Sequence, residues 1–238
     1  MNFKELIKKL NASKKPLLAV LIDPDKFDPA LIHLANKSKT ACFLVGGSKL
    51  ETGDVNKTIR AIKKISKIPV ILFPGNETQL SKAADGLLLL SLLSGRNPDY
   101  LISKHITAAP VIKKMKLPYL PTAYLLIDGG ALSTTQKVTN TLPLDPKNKA
   151  EVINTALAAE QLGFKAIYLE AGSGAKKTIT SPLIKSVKKE VALPIIVGGG
   201  LDSVIKVKQV INSGANMIVI GNALEKNVFL LTEISKCF

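Results

Sequence analysis

Apolar runs of strand length alternate with helix-period segments along this whole chain. Such alternation favours a parallel sheet whose strands are joined by helical crossovers. The strand candidates are residues 17–22, 41–45, 70–73, 86–90, 119–127, 166–170, 195–197 and 217–220. The length of 238 residues is close to the roughly 250 that eight βα units need. We therefore expect an α/β fold, a single (β/α)8 TIM barrel over residues 1–238, with a modified helix after strand two or three.

Local signals place several helix ends between these strands. Asp28 and Ser181 each precede a proline, the pattern of a capping residue followed by proline at the first helical position. Gly163 and Gly214 each follow a helical pattern shortly before the next strand, where glycine commonly ends a helix. The pattern thus predicts helix starts at the two prolines and helix ends at the two glycines.

The net charge limits the classes of possible binding partner but does not identify one. The chain has 33 Lys and Arg against 18 Asp and Glu, a net charge of +15 that favours polyanions: nucleic acid, an anionic membrane or a phosphorylated substrate. Scattered lysines and the lack of tryptophan argue against nucleic acid. The longest apolar run, residues 87–93, is too short to span a bilayer, and two distant cysteines suggest a reducing compartment. We expect a cytoplasmic protein, for which peripheral membrane contact stays open.

Glycine-rich turns follow the last two strand candidates. Residues 193–200 end in Gly198-Gly199-Gly200, and residues 217–223 contain Gly221-Asn222. Bare backbone N–H groups at such turns can converge on one anion, and barrels often hold a phosphate after strands seven and eight. The chain has neither a dinucleotide fingerprint nor a GxxxxGK[ST] loop, which argues against Rossmann and P-loop folds.

Two further strand ends carry oxygen ligands. Strand one ends at Asp23, which could instead form an Asp-Pro turn, and strand two is followed by Ser48. A single carboxylate and hydroxyl suit Mg²⁺, which completes its coordination with water and substrate phosphates. The pair therefore predicts a magnesium and diphosphate site.

Strand six brings a second carboxylate to the mouth. Tyr168 and Glu170 share one face because side chains alternate along a strand, and a Gly/Ser loop at 172–174 follows. Glu170 could act as the base for a hydroxyl while Ser173 and Gly174 donate to a phosphate. The alternative is a rim carboxylate held by a neighbouring lysine.

Taken together, these motifs resemble the geranylgeranylglyceryl phosphate synthase family, which includes the heptaprenylglyceryl phosphate synthases. The resemblance runs from about residue 15 to residue 230, with every motif in order, at 22–25, 46–48, 168–174, 197–200 and 220–222. It implies a (β/α)8 barrel that joins sn-glycerol 1-phosphate to a polyprenyl diphosphate. An ether bond forms, and diphosphate is released with Mg²⁺.

The resemblance also implies roles for single residues. Asp23 and Ser48 would bind Mg²⁺, Glu170 would take the proton of the glycerol hydroxyl, and Tyr168 would position the glycerol. The residues implied to hold glycerol 1-phosphate are Tyr168, Leu169, Glu170, Ala171, Gly172, Ser173, Gly174, Gly199, Gly200, Gly221 and Asn222. Tyr100 is our candidate for an aromatic contact along the prenyl groove, although it could equally be a helix residue that covers the core.

One difference from some bacterial members of this family indicates which subgroup the chain resembles. Some bacterial members carry a lysine two residues before the strand-one aspartate, where this chain has Leu21. This position and the segment 92–98 resemble the subgroup with archaeal and Bacteroidetes members, which implies a geranylgeranyl donor and a homo-oligomer, a hexamer rather than a dimer.

Two other functions remain open at this stage. A phosphosugar isomerase or cyclase on a similar barrel would use Asp23 and Asp128 as an acid and base pair. A non-catalytic barrel could use its positive charge to bind RNA or membranes. The isomerase would be supported by a second glycine-rich phosphate loop after strand three, of which residues 73–76 are a poor version, and the non-catalytic barrel does not account for the motifs at the strand ends.

Overall fold

The chain folds into a closed barrel of parallel strands in sequence order. The computed structural model describes residues 1–13 and 15–238, and each strand pairs with the next until β8 closes on β1. The strands are β1 (Leu17–Ile22), β2 (Thr40–Val45), β3 (Val70–Leu72), β4 (Gly86–Leu92), β5 (Tyr119–Leu126), β6 (Ala166–Glu170), β7 (Ile195–Gly198) and β8 (Met217–Ile220). The expected (β/α)8 barrel is confirmed.

Helices surround the barrel. They are α1 (Phe3–Ala12), α2 (Pro29–Asn36), α3 (Val55–Ile65), α4 (Lys104–Met115), α5 (Thr134–Thr139), α6 (Lys149–Gln161), α7 (Ser181–Glu190), α8 (Val204–Ile211), α9 (Asn222–Lys226) and α10 (Leu230–Ser235). A π-helical turn, Asp99–Ser103, leads directly into α4. Within residues 1–13 and 15–238, no helix is both long and apolar enough to cross a membrane.

Two apolar layers hold the barrel together. The outer layer packs one face of each strand against the helices, and the inner layer fills the barrel. At the amino-terminal end of the strands, α1 contributes Phe3, Leu6 and Leu10 to the inner layer. The Phe3 ring lies so close to Gly86 that any side chain at this glycine would collide with it. Helix α1 therefore closes the bottom of the barrel and leaves the opposite end for a site.

No α-helix connects β3 to β4, so the expected modification falls after strand three. A short 3-10 turn, Glu77–Gln79, takes its place. The buried Gln79 side chain fixes this turn, since its amide donates to the Gly47 carbonyl at 2.7 Å and its oxygen accepts from the Gly47 and Gly75 N–H groups. The missing helix leaves space beside β4.

The helix-end signals are confirmed except one. The Asp28 carboxylate accepts from the Ala30 N–H at 2.8 Å, while Gly163 and Gly214 have the positive φ angles of helix-ending glycines. Ser181 was expected to cap α7 but is its first residue, and Thr180 occupies the capping position. The Ser181 hydroxyl instead reaches the Gln209 carbonyl, a partner supplied by the neighbouring helix.

Candidate active site

A polar cavity lies at the carboxyl ends of the strands, the mouth of the barrel. Nearly all of the predicted site residues line it. Those in the lining are Asp23, Ser48, Tyr168, Glu170, Gly172, Ser173, Gly174, Gly199, Gly200, Gly221 and Asn222. Barrel closure thus brings together motifs that lie almost 200 residues apart in sequence.

Two of the residues implied to hold glycerol 1-phosphate do not reach this cavity. The side chains of Leu169 and Ala171 belong to the outer layer and face the helices, because strand alternation turns them away from Tyr168 and Glu170. The Ala171 N–H is also bonded to the Gly198 carbonyl at 3.0 Å. The family resemblance implied these two residues as part of the segment 168–174, and the pleat of β6 turns their side chains away from the cavity.

The Glu170 carboxyl is buried at the end of β6. Its Oε1 accepts from the Gly172 N–H at 2.7 Å, and burial raises the pKa of this carboxyl from 4.5 to about 7. The hydrogen bond from the Gly172 N–H offsets only part of the desolvation. A carboxyl with this pKa can accept a proton near neutral pH, as a general base requires.

The glycines after β7 make room for this carboxyl. Gly198 lies beneath both the Tyr168 hydroxyl and Glu170 Oε2, and a side chain there would collide with both. Gly199 has a φ of +84°, and a side chain at this position would run into Glu170 Oε1. Glycine is therefore needed here for close packing around the carboxyl as well as for any approach of a phosphate.

An aromatic cluster underlies the site, and sequence reasoning missed two of its three members. The Tyr168 ring stacks on Tyr124 with centroids 5.3 Å apart and lies 5.2 Å from the ring of Phe73. In the β5 and β6 pairing, Tyr124 lies directly beside Tyr168. The alternation of side chains along strand five could have identified Tyr124, because it turns this residue towards the inside of the barrel.

Asp23 lies across the mouth, and it both forms the expected turn and faces the cavity. Its Oδ1 accepts from the Asp25 N–H at 3.0 Å, and its Oδ2 lies 4.0 Å from the Lys26 ammonium. Burial raises the pKa of this carboxyl. Asp25 has a purely structural role, since it accepts from the backbone N–H groups of Glu51, Thr52 and Gly53.

Ser48 and Asp23 could share a metal of few protein ligands. The Ser48 hydroxyl lies 3.1 Å from the Thr135 hydroxyl, so it faces the cavity with a partner from α5. Over residues 1–13 and 15–238, no group of three or more His, Cys, Asp or Glu side chains is arranged to hold a metal ion. A metal here would depend on one carboxylate and one hydroxyl, a hard oxygen set that fits Mg²⁺.

An apolar groove joins the polar cavity from the side where the helix after β3 is missing. It is walled by leucines of β4 and by Ala108 and Ile112 of α4. Both spaces share the same boundary residues, which are Gly47, Ser48, Phe73, Tyr124 and Thr135. The groove and the glycine-lined cavity therefore adjoin each other along these residues.

Tyr100 lines this groove from the π-helical turn. Its hydroxyl donates to the Val138 carbonyl at 3.2 Å, and the Lys104 ammonium lies over its ring at 5.2 Å. Lys104 also forms an ion pair with Glu77 at 3.0 Å, which links α4 to the turn after β3. The position fits a groove contact, while its role in binding stays a prediction.

The acid and base pair of the isomerase alternative does not assemble. Asp128 is exposed and accepts from the Gly130 N–H in its own turn, and it does not line the cavity that contains Asp23. The cavity instead contains Lys26 and Glu225, which the sequence did not single out.

The fold and site define a (β/α)8 barrel of the kind that enzymes use, with a glycine-lined polar cavity at its mouth beside an apolar groove. A family model described as the PcrB family matches residues 12–237, and the chain belongs to this family. The curated relatives found include proteins named geranylgeranylglyceryl phosphate synthase. One from Chitinophaga pinensis is 44% identical over 91% of this chain and 88% of its own, and one from Korarchaeum cryptofilum is 40% identical over 96% of both.

Solved structures agree with this assignment. The chain is similar to (S)-3-O-geranylgeranylglyceryl phosphate synthase from Thermoplasma acidophilum, solved with its substrate sn-glycerol-1-phosphate, at a TM-score of 0.92 and 30% identity over 100% of this chain and 98% of that one. An N-acetylmannosamine-6-phosphate 2-epimerase from Clostridium perfringens, at 14% identity over 96% of both chains and a TM-score of 0.58, shares the fold alone. The family resemblance and the enzyme class expected from the sequence are confirmed.

Proposed function

We propose that this chain joins sn-glycerol 1-phosphate to geranylgeranyl diphosphate, forming an ether bond and releasing diphosphate in an Mg²⁺-dependent reaction. The observation that carries the proposal is the position of the apolar groove directly beside the glycine-lined cavity, with which it shares five boundary residues. A phosphorylated acceptor and a hydrocarbon tail need these two environments side by side. Glu170 lies within the polar one, next to the shared boundary residue Tyr124.

The acceptor phosphate would lie among the turns after β6, β7 and β8. Backbone N–H groups at Gly174, Gly199 and Gly200 lie in turns with positive φ, a conformation in which successive N–H groups can face one anion. Gly221 adds the start of α9 to the same cavity. The solved relative with sn-glycerol-1-phosphate and the same fold supports this choice of acceptor.

Glu170 would take the proton of the glycerol 3-hydroxyl. As the new C–O bond forms at C1 of the allylic chain, the bond from C1 to the diphosphate oxygen breaks and its electron pair leaves with diphosphate. The hydroxyl proton passes to the Glu170 carboxylate, whose pKa of about 7 makes it an adequate base. Tyr168 would hold the glycerol in line, since its hydroxyl lies beside the same carboxyl.

The donor diphosphate would lie on the Asp23 side of the mouth. Asp23 and Ser48 are the residues that would hold Mg²⁺, which when bound would offset the charge that develops on the leaving diphosphate. The prenyl chain would follow the groove past Tyr124, Leu90 and Tyr100. Burial along such apolar walls favours the tail by roughly 25 cal/mol per Å² removed from water.

The geranylgeranyl length and the hexamer continue as proposals from the family subgroup, and the cytoplasmic location continues as a proposal from the two distant cysteines. The geranylgeranyl length alone is supported by the relatives, which are named geranylgeranylglyceryl phosphate synthase in both Bacteroidetes and archaea.

The test supplies purified protein with glycerol 1-phosphate, Mg²⁺ and a series of prenyl diphosphates, and measures diphosphate release and the ether product by mass spectrometry. We expect a prenyl ether with the geranylgeranyl donor and little product with the enantiomer glycerol 3-phosphate. Absence of product with every donor length would refute the proposal. Best turnover with a much longer donor would refute only the chain length.

A further inference from the structure

A chain of polar contacts crosses the mouth from the acceptor loops to Asp23. The Ser173 hydroxyl donates to Asn222 Oδ1 at 3.0 Å, and Asn222 Nδ2 faces both Glu225 oxygens at 3.3 and 3.2 Å. The Lys26 ammonium donates to Glu225 Oε2 at 2.9 Å and lies 4.0 Å from Asp23 Oδ2. All five side chains line the polar cavity.

The Lys26 ammonium lies between the two proposed anion sites. An ammonium has three donors, and the contact with Glu225 uses one of them. The 4.0 Å to Asp23 is beyond hydrogen-bond distance, and the Lys26 side chain is 52% exposed. The cation is therefore placed by its bond to Glu225 and still has donors directed to solvent or to a ligand.

Glu225 can release Lys26 without becoming an isolated buried charge. Its side chain is 19% exposed, and the Asn222 amide continues to donate to it. An exchange of Lys26 from this carboxylate to a phosphate oxygen replaces one charge-assisted hydrogen bond by another. Such an exchange costs little, whereas a lysine without a partner would lose its orientation.

We propose that Lys26 is a phosphate-binding residue of this enzyme, held ready by Glu225 and transferred to a substrate phosphate when it binds. The inference rests on the proposed function, which places two phosphorylated groups in this cavity. The acceptor phosphate and the donor diphosphate both present phosphate oxygens that the Lys26 ammonium can bind. The position of Lys26 beside Asp23 favours the diphosphate.

The test compares Lys26→Met with Glu225→Gln. The first removes the cation, while the second keeps an amide oxygen for Asn222 but weakens the competing partner of Lys26. Matched controls for net charge are Lys63→Met, which breaks an ion pair with Asp85 away from the mouth, and Glu233→Gln on the exposed face of α10. Thermal unfolding of each full-length variant checks the fold.

The direct measurement is calorimetric binding of inorganic pyrophosphate and, separately, inorganic phosphate without added metal. We expect Lys26→Met to weaken one of them by about 10- to 100-fold, the range for a charge-assisted hydrogen bond, and Glu225→Gln to bind it as tightly as the unchanged protein or more tightly. Both control variants should bind within about twofold of the unchanged protein, since exposed charges beyond a Debye length are screened.

The anion whose affinity falls shows whether Lys26 binds the donor diphosphate or the acceptor phosphate. Loss of pyrophosphate affinity and a raised KM for the prenyl diphosphate assign Lys26 to the donor, while loss of phosphate affinity and a raised KM for glycerol 1-phosphate assign it to the acceptor. Equal affinities of Lys26→Met and Lys63→Met for both anions overturn the proposal, as does a parallel loss in Lys26→Met and Glu225→Gln. Because anion binding is measured without turnover, absence of an ether product would count against the proposed function and leave this inference standing.

Discussion

Replacing Glu170 by glutamine should abolish most of the activity and change how stability depends on pH. The glutamine keeps an oxygen that can accept from the Gly172 N–H, now at 2.7 Å, so the turn after β6 should be retained. The variant loses a base for the acceptor hydroxyl, and general-base catalysis contributes typically about 10²- to 10⁴-fold. We expect a fall of that size in kcat above about pH 7, where the unchanged protein has its carboxylate deprotonated, and a smaller difference at lower pH.

The stability effect follows from the pKa of the buried carboxyl. In the folded chain this pKa is about 7 against 4.5 for the exposed group, so between these values the folded state keeps a proton that the unfolded state has released. The free energy of unfolding of the unchanged protein therefore falls as pH rises through this window. At about 1.4 kcal/mol for each pH unit, the contribution changes by roughly 2–3 kcal/mol between about pH 5 and pH 8.

Glu170→Gln lacks this titration and should gain stability relative to the unchanged protein as pH rises. Urea unfolding at about pH 5 and pH 8 measures the free energy of both proteins, with Glu233→Gln as an exposed control that should show no such trend. In parallel, kcat/KM of the unchanged protein should rise with pH to a plateau above the pKa of about 7.

Two results would refute this reasoning. A constant difference in unfolding free energy across the pH range would mean that Glu170 titrates like an exposed carboxyl. An active Glu170→Gln variant with an unchanged pH profile would show that the carboxyl is part of the rim and not the base.

Three further predictions concern neighbouring positions. Gly198→Ala should displace the Tyr168 hydroxyl and Glu170, which costs about 1–3 kcal/mol of stability and lowers kcat, and an unaffected kcat would contradict the packing seen here. Asp23→Asn keeps an oxygen for its turn and should raise the Mg²⁺ concentration for half-maximal rate by about 10- to 100-fold, which a magnesium titration of the rate measures. Tyr100→Ala should raise KM for the prenyl diphosphate by about tenfold and leave KM for glycerol 1-phosphate unchanged, and equal changes in both would remove this tyrosine from the groove.

Much of the barrel could be predicted from local sequence. The bounds of β1, β6 and β8 agree with the strand candidates, and the others differ by at most two residues at either end. Strand five was expected to include Ile127, which instead forms an isolated bridge with Leu144 from the following loop. Buried parallel strands are encoded by short apolar runs, so their number and order can be read without knowing their neighbours.

The groove could not be predicted in the same way. Its existence depends on a helix that does not form after β3, where Gln79 bonds to backbone groups of two different loops. We expected a modified helix after either strand two or strand three. Only these contacts of Gln79 decide that it follows strand three. The apolar wall that results uses leucines of β4 that a complete helix would otherwise cover.

The sequence by itself determined the barrel, the glycine turns and the carboxylates at the strand ends, because each of these is written within a few consecutive residues. The tertiary structure decided that Leu169 faces outward, that Tyr124 and Phe73 support Tyr168, and that Lys26 meets Glu225 about 200 positions away. It also decided the pKa of Glu170, since burial is a property of the surroundings and not of the residue. Closure of β8 on β1 creates these neighbours, and no local pattern records them.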